Sequence, residues 1–381
     1  MLVKRPIYNP RLECVGIEII ANRHAKEHQQ LFDHFSALLR NIEEHFPLFI
    51  PYAFQFLIEQ HQPPIKNLII LKLHAADINQ LCPQDELEAS KYPIALLIDN
   101  PQQLAWLNFA DYIALTEHLM SAADVTRVVQ YSQARERKVI AYDISSPVNF
   151  DRCKAMSMDY YCGDFLFQPK QHAPETIAAN KLNLLELISK LQLPDTDLES
   201  VANLIQADPM LSYRLLSIAN SVAFSGFQAI ESIQQAVIRL GILNLKNWVM
   251  VLSMTKVSNK PAELVESGLI RAQMAQRIAE NQPDICPNSA YTVGLLSVLD
   301  SLMDAPMAEL IDKITLTDEI KAALLSHEGK LGELLSVVIA YEKGNVDEQR
   351  EATYLDLDLN KIYIDCLDQI TQSKKAMHET N

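Results

Sequence analysis

The sequence predicts two domains of different fold class, an α/β domain with a mainly parallel sheet, either open or closed into a barrel, followed by an all-α domain. A chain of 381 residues is too long for one ordinary hydrophobic core. Strand-like apolar runs alternate with helical patterns as far as residue 167, and only helical patterns follow. A polar, proline-containing segment, QPKQHAPETIAAN, separates the two regions. We therefore expect an α/β domain over residues 1–170, a linker over 171–180 and a helical domain over 181–381.

Six short runs in the first half have the composition of buried strands. They are LECVGIEII (12–20), NLIILKL (67–73), IALLID (94–99), DYIALT (111–116), KVIAY (138–142) and YYCGDFLF (160–167). Helical patterns such as QQLFDHFSALLRNIEEH and DVTRVVQYSQARER lie between them. Strand alternating with helix predicts a mainly parallel sheet with helices outside it, either an open sheet or a barrel. The near-continuous apolar strands favour burial on both faces. About 170 residues is short for a TIM-type barrel, which typically takes ~250, so shortened helices are expected.

Capping signals place several helices in the second half. The candidates are Thr196 with Glu199, Asp208 before Pro209, Ser232 with Gln235, and Gly241 at a helix end. The stretch YTVGLLSVLD, residues 291–300, reads as one buried helix with Ser297 in its middle. These signals predict a domain of short helices joined by tight connections.

Composition limits the class of protein. Apolar residues make up 49% and charged residues 21%, which is typical of a globular chain. The sequence contains neither an uninterrupted run of about 18 apolar residues nor the start of a signal peptide, so a cytoplasmic protein without a membrane span is expected. The six cysteines form no CxxC pair, so neither a zinc ribbon nor a redox motif is encoded.

The net charge of −15 argues against a nucleic-acid partner, because a phosphate backbone would be repelled. Residues 1–170 carry 16 Lys+Arg and 20 Asp+Glu, which leaves 17 and 28 of the totals of 33 and 48 for the remainder. The second half therefore holds −11 of the −15. A charged partner is expected to be basic, and the sequence leaves the oligomeric state open.

The second half closely resembles the HDOD domain, a helical relative of the HD-type metal-dependent phosphohydrolases. The resemblance lies in LPDTDLESVANLIQADPMLSYRLLSIANSVAFSGFQAIESIQQAVIRLGILNLKNWV and extends to LLSHEGKLGELLSVVIAYEKG. It implies a bacterial signalling protein. In HD phosphohydrolases the helix that corresponds to residues 291–300 reads roughly GLLHD, and its adjacent His and Asp hold a metal ion.

The resemblance also implies that this chain lacks that metal site. Ser297 and Val298 follow GLL here, and neither is a useful ligand for a divalent ion. Asp300 would lie about 200° round a continuous helix from Val298 and could not substitute for the missing aspartate. Between His172 and His378 the sequence contains one histidine, His327. We expect the helical domain to bind no metal and no cofactor.

The first half resembles the EAL domain, whose TIM-type barrel hydrolyses cyclic di-GMP by two-metal activation of water. KRPIYNPRLECVGIEIIANR resembles the start of that domain, with Glu18 as the glutamate of EAL. LLIDN, ADYIALT, VIAYDIS and YYCGDFLFQPK follow in the order of later EAL strands. An EAL domain joined to an HDOD domain is a recurring bacterial arrangement.

Departures from the EAL pattern predict loss of catalysis. Asp99 can stand for the first of two adjacent aspartates, but the residues that replace other catalytic groups are Asn100, Ala114, Thr116, Tyr142 and Cys162. They replace the second aspartate, a lysine, the following aspartate, a glutamate and a glutamine. No glycine occurs between Gly16 and Gly163, although active EAL domains carry a GTG-type turn after the aspartates. The barrel is expected to be catalytically degenerate.

Three residues of the barrel remain candidates for nucleotide contact. Glu18 and Asp99 could be surviving ligands, and Arg5 could still contact a phosphate. The alternatives are that Glu18 is a relic satisfied by Arg5 or Arg23, that Asp99 forms a turn, and that Arg5 precedes an edge strand.

Three functions follow from these observations. The first is a non-catalytic signalling adaptor that binds other proteins, whose identity the sequence does not reveal. The second is a sensor whose barrel binds cyclic di-GMP or another nucleotide weakly without cleaving it. The third is an active cyclic di-GMP phosphodiesterase, which would need a new general base and new metal ligands.

Overall fold

A computed structural model describes most of the chain. It covers residues 1–21, 28–55, 58–59, 67–78, 84–119, 125–170, 179–193, 198–206, 209–220, 230, 232–257, 260–345 and 357–378. The expected caps Thr196 and Asp208, most of the expected linker, Arg23 and His172 lie outside these residues. Contacts divide the chain into two compact units, Met1–Gln168 with Tyr341–Val346 and Pro169–Ala340 with Asp347–Asn381.

The first unit is a closed barrel of eight strands. In chain order these are β1 Leu2–Tyr8, β2 Cys14–Ala21, β3 Leu48–Pro51, β4 Ile69–His74, β5 Ile94–Ile98, β6 Tyr112–Thr116, β7 Lys138–Tyr142 and β8 Tyr160–Tyr161. Strand β1 is antiparallel to both of its neighbours, β2 and β8, and every other pairing is parallel. The predicted α/β barrel is confirmed.

Side chains alternate between the inside and the outside of the barrel. The apolar residues that pack together inside it are Ile7, Phe49, Ile70, Ala95, Ala114, Ile140, Tyr142 and Cys162. Their neighbours along the same strands, such as Leu71, Leu96 and Ile113, belong to the core outside the strands. This two-residue period fixes which polar side chains face inward.

Two of the eight strands, β1 and β3, were not predicted from the sequence. Strand β1 contains Pro6 and two charged residues, and β3 has four residues and ends at Pro51, so neither shows a clear strand pattern. Strand β8 stops at Tyr161, earlier than predicted, because Phe165–Phe167 forms a 3-10 helix.

The shortness of the barrel domain comes from its connections, since all eight strands are present. The helices of this unit are α1 His28–Leu39, α2 Gln84–Glu88, α3 Val125–Gln133 and α4 Pro147–Ala155. Short 3-10 helices, Tyr52–Phe54, Ala75–Asp77 and Pro101–Phe109, follow β3, β4 and β5. The expectation of abbreviated helices is therefore met among the described connections.

From residue 179 onward the described secondary structure is helical, as predicted. The helices are α5 Ala179–Gln192, α6 Leu198–Gln206, α7 Pro209–Ala219, α8 Ile233–Val257, α9 Ala262–Ala279, α10 Pro287–Leu296, α11 Leu299–Met303, α12 Met307–Ile311, α13 Asp318–Ser326, α14 Gly329–Glu342 and α15 Leu359–His378. The Ser232 hydroxyl accepts a hydrogen bond from the amide of Gln235 at 3.2 Å, which confirms that cap. Gly241 has a left-handed φ of 74° and kinks α8, but helix resumes at once, so the predicted helix end is a kink.

The stretch 291–300 is not one continuous helix. Helix α10 ends at Leu296, Ser297 caps it, and α11 begins at Leu299. Val298 is buried against α9. A Cβ added to Gly268 of that helix would lie 2.7 Å from the Cγ2 atom of Val298. The expected position of Asp300, about 200° round from Val298, is therefore wrong, because the helix axis is broken between Ser297 and Leu299.

None of the described helices combines the length and the hydropathy needed to span a membrane.

Candidate functional site

Glu18 lies inside the barrel and is only 1% exposed. Its Oε2 atom accepts a hydrogen bond from Arg5 Nε at 2.8 Å and lies 2.7 Å from Arg5 Nη2. Lys72, on β4, donates to Oε1 from the other side. Register pairs Arg5 directly with Glu18 across β1 and β2, so strand pairing itself sets the first contact.

Two further side chains complete the surroundings of Glu18. The Tyr142 hydroxyl donates to Oε1 at 2.7 Å and accepts from Lys72 Nζ at 3.0 Å. Cys162 Sγ lies 3.5 Å from Oε2. The guanidinium carbon of Arg5 lies 4.6 Å from the centre of the Tyr142 ring, a cation–π distance. We call Arg5, Glu18, Lys72, Tyr142 and Cys162 the barrel ion cluster.

Charge compensation keeps Glu18 ionised. Burial alone would raise its pKa, but the charges of Arg5 and Lys72 and the hydrogen bonds from Lys72 and Tyr142 outweigh burial and lower the pKa to about 2. Burial and the Glu18 carboxylate raise the pKa of Tyr142 well above its usual value, so the phenol stays protonated and donates. Burial likewise raises the pKa of the Cys162 thiol.

This arrangement leaves Glu18 little capacity to coordinate a metal ion. A carboxylate offers about four lone-pair sites, and both oxygens already accept from side chains of the barrel ion cluster. The space beside them contains two permanent cations, which would repel a divalent ion. The described residues contain no group of three or more His, Cys, Asp or Glu side chains suited to a metal ion.

Asp99 is held elsewhere, at the end of β5. Its Oδ2 atom lies 3.1 Å from His74 Nε2, and its Oδ1 atom accepts from Gln103 Nε2 at 2.8 Å. Asn100 has extended backbone and accepts from the amide of Gln102 at 2.9 Å, capping the following 3-10 helix. Of the three candidate nucleotide contacts, Arg5 and Glu18 thus lie together, and Asp99 belongs to a separate polar network.

The positions that replace the catalytic groups of EAL domains fall into two sets. Tyr142 and Cys162 join the barrel ion cluster, whereas Ala114 is part of the apolar interior. Thr116 is 6% exposed, and its Oγ1 atom has no hydrogen-bond partner among the described residues. Glu117, one residue further on, accepts from the Ser145 amide at 2.7 Å and hydroxyl at 2.9 Å, and so fastens the loop after β7.

Among the residues that the structure describes, the carboxyl ends of the parallel strands carry more negative than positive charge. The carboxylates at or just beyond these ends, or in the cluster, are Glu18, Asp99, Glu117, Asp143 and Asp164, and the cations paired with them are Arg5, Lys72 and Lys343. Arg5 Nη1 donates to Asp143 Oδ1 at 2.7 Å, so the same guanidinium pairs with two carboxylates. A phosphate group approaching this mouth would meet a net negative field unless other cations accompanied it.

In the helical unit, an arginine stands beside the residues that replace the His-Asp pair. Arg271 on α9 is 3% exposed, and its Nη1 atom donates to Ser297 Oγ at 3.1 Å. Ser297 Oγ also donates to the Gly294 carbonyl at 2.7 Å. The Ser297 hydroxyl therefore links the buried arginine of α9 to the backbone of α10.

His327 and Asp300 face the same arginine charge. Burial and the charge of Arg271 lower the pKa of His327, whose Nδ1 atom lies 3.0 Å from Ser336 Oγ. Burial raises the pKa of Asp300, and its Oδ1 atom accepts from the Ser301 amide at 2.7 Å. The charge of Arg271 thus acts on both titratable groups, His327 and Asp300.

Two residues central to these sites were missed in the sequence. Lys72 is the one charged residue in the apolar run NLIILKL, and its parity with Ile70 places it inside the barrel. That signal was available. Arg271 lies in a helix with polar residues on several sides, LIRAQMAQ, and nothing in that pattern marks it as buried.

Comparison with known proteins agrees with this division of the chain. In the helical unit, residues 181–323 match the model of the HDOD domain family. This part of the chain is an HDOD domain. The chain as a whole is 25% identical over 367 residues to the cyclic di-GMP phosphodiesterase CdgJ of Vibrio cholerae, covering 90% of this chain and 85% of that protein.

The solved structures that the chain is similar to include HDOD and EAL proteins. An HDOD domain protein of Geobacter sulfurreducens shares 17% identity and covers 55% of this chain and 94% of its own, with a TM-score of 0.38. A standalone EAL protein of Vibrio cholerae bound to cyclic di-GMP shares 14% identity and covers 43% of this chain and 89% of its own, with a TM-score of 0.32.

Proposed function

We propose that the chain is a non-catalytic component of bacterial cyclic di-GMP signalling that acts by binding other proteins. The pathway is inferred from the HDOD domain and from the similarity to CdgJ along most of both chains. The absence of catalysis rests on one observation, the enclosure of Glu18 by Arg5, Lys72 and Tyr142.

The enclosure bears directly on mechanism. Two-metal hydrolysis requires carboxylates whose lone pairs point at the ions, together with a group that positions the attacking water. Glu18 gives its lone pairs to side chains of the barrel, and Ala114 stands where the resemblance expects a lysine. A chain with this geometry would have to expel two cations before it could bind a metal ion at Glu18.

Charge supports a protein partner of basic character. The second half of the chain carries −11 of the net −15, and long-range attraction of this kind accelerates association with a positively charged surface. We expect capture of partners by the full-length protein to weaken as salt rises from about 0.1 to 0.5 M, since the Debye length falls well below 10 Å.

Two other functions retain specific support. The name of the relative, a cyclic di-GMP phosphodiesterase, favours hydrolysis. A weak nucleotide site without turnover is favoured by the Thr116 Oγ1 atom, which has no hydrogen-bond partner in the described part of the chain, and by the partly exposed side chains of Arg5 and Lys72. The excess of carboxylates at the barrel mouth argues against tight binding of a dianionic nucleotide.

A single experiment separates the three functions. Full-length protein is incubated with cyclic di-GMP and either Mg²⁺ or Mn²⁺, release of linear pGpG is followed, and equilibrium binding is measured in parallel. The proposal expects neither turnover nor tight binding. Metal-dependent release of pGpG that disappears in Glu18→Ala would overturn it, and binding without release would establish the sensor instead.

A further inference from the structure

The barrel unit includes a short segment from far along the chain. Tyr341–Val346 belongs to the same compact unit as Met1–Gln168, although the sequence analysis placed it in the helical domain. Tyr341 is 2% exposed, and its hydroxyl donates to the Leu2 carbonyl at 3.4 Å. The segment is therefore packed into the barrel unit at the start of β1.

Two more contacts fix the segment. Lys343 Nζ lies 2.7 Å from Asp164 Oδ2, just after β8. Gly344 has φ of 75°, and a Cβ added there would lie 2.8 Å from Ile20 Cγ2 on β2. Both the left-handed backbone and the closeness to Ile20 require glycine at this position.

The contacted strands are those that carry the barrel ion cluster. Leu2 pairs with Ala21 and Val3 with Ile20 in the β1–β2 ladder, and the same ladder pairs Arg5 with Glu18. Residues 341–342 are also the last turn of α14, which begins at Gly329.

We propose that residues 341–345, although they come late in the chain, form a strap that holds the β1–β2 hairpin of the barrel unit in place. The inference goes beyond the proposed function, because it concerns the stability of this unit and holds whether or not the barrel binds or cleaves a nucleotide.

Hydrogen exchange of the full-length protein tests the strap. Tyr341→Ala is expected to speed amide exchange in residues 1–21 by at least about tenfold, while amides of α9 and α10 keep their rates. Tyr341→Phe keeps the packing and loses one long hydrogen bond, so it should stay close to the wild type. Unchanged exchange in residues 1–21 of Tyr341→Ala, or an equal rise in α9 and α10, would overturn the proposal.

Exchanging the charges of Lys343 and Asp164 tests whether their ion pair stabilises the strap. Lys343→Glu places two carboxylates together and should speed exchange in residues 1–21 by about two- to threefold, the effect of one surface pair. Lys343→Glu combined with Asp164→Lys should restore the wild-type rate. The matched control is Lys330→Glu, which breaks the pair of Lys330 with Asp284 at the other end of α14. Failure of the rescue, or an equal effect of the control on residues 1–21, would contradict the strap.

Discussion

Lys72 on β4 and Glu18 on β2 form a hydrogen-bonded ion pair inside the barrel, where the carboxylate has almost no contact with water. Removing water from two charges is costly, and the attraction between them offsets that cost only when further hydrogen bonds complete the site. Arg5 and Tyr142 supply those bonds. The pair therefore makes the barrel sensitive to any change that removes one partner.

Acid should destabilise the barrel through Glu18. The pKa of this carboxyl is about 2 in the folded chain against an ordinary value of 4.5. Its contribution, on the order of 3 kcal/mol, is therefore fully present above pH 4.5 and is lost as the pH falls toward 2. Glu18→Gln should lower the free energy of unfolding at pH 7 and flatten the acid side of its pH profile. Urea unfolding from pH 7 down to 3 measures both effects. Glu86→Gln, at an exposed site, should change neither, and an unaltered profile in Glu18→Gln would contradict this account.

Removal of the Lys72 charge should lower the free energy of unfolding far more than removal of the charge of a surface lysine. In Lys72→Met the Glu18 carboxylate loses one of two compensating charges, and breaking a buried pair typically costs about 3–5 kcal/mol. Lys138→Met provides the matched control, because Lys138 also lies on a strand and pairs with Asp159 at 3.0 Å but is 49% exposed. Its loss should cost less than about 1 kcal/mol. Similar midpoints of urea unfolding for the two variants would show that the cluster is not a stabilising unit.

Ser297→Ala should destabilise the helical unit measurably. The serine hydroxyl accepts a hydrogen bond from the buried Arg271, and loss of a bond to a charged group costs about 1.5–3 kcal/mol. The second hydrogen bond of the serine, to a carbonyl in the same helix, contributes little by comparison. Ser326→Ala isolates that smaller effect, because Ser326 Oγ donates to the Ala322 carbonyl at an exposed site. Equal thermal midpoints for both variants would rule out a stabilising role of the arginine contact.

Gly294→Ala should disrupt the contact between α9 and α10. An added Cβ would lie 2.6 Å from the backbone nitrogen and Cα of Ala272, and backbone cannot rotate away. We expect a loss of about 3 kcal/mol or more, at the upper end of overpacking effects. Gly241→Ala meets no atom within 4 Å and carries only the strain of a left-handed φ, about 1–2 kcal/mol. Urea unfolding that ranks the two variants in the opposite order would contradict the close approach of α9 and α10.

Chelators should leave the thermal midpoint unchanged. A bound ion at a hundredfold excess over its Kd would stabilise the fold by about 2.7 kcal/mol, which is easily seen. The ligand positions are occupied by Ser297 and Val298 in one unit and by cations in the other. Differential scanning fluorimetry with and without EDTA is the measurement, and a drop of several degrees would indicate a metal site that neither the sequence nor the described residues reveal.

The sequence was sufficient to predict the barrel, the helical domain and the replacement of ligand positions. Periodicity predicts strands where apolar residues run together, as in β5 and β6, because burial on both faces demands such runs. Periodicity did not predict strands β1 and β3, because proline and charged residues interrupt their apolar pattern. Only closure of the barrel makes the pairing of these two strands favourable.

Residue identity alone showed that Ala114, Tyr142, Ser297 and Val298 cannot hold the ions of the related enzymes. It could not show what stands there instead. Lys72 and Glu18 are 54 residues apart, and Arg271 and Ser297 are 26 apart. Their pairing depends on strand order and helix packing, which bring distant side chains within hydrogen-bond reach, and the same is true of Tyr341 and Leu2. The sequence by itself determined which side-chain types stand at the positions where the resemblance expects catalytic groups, and the tertiary structure decided which charges surround them, because buried charges are compensated by neighbours in space and not by neighbours along the chain.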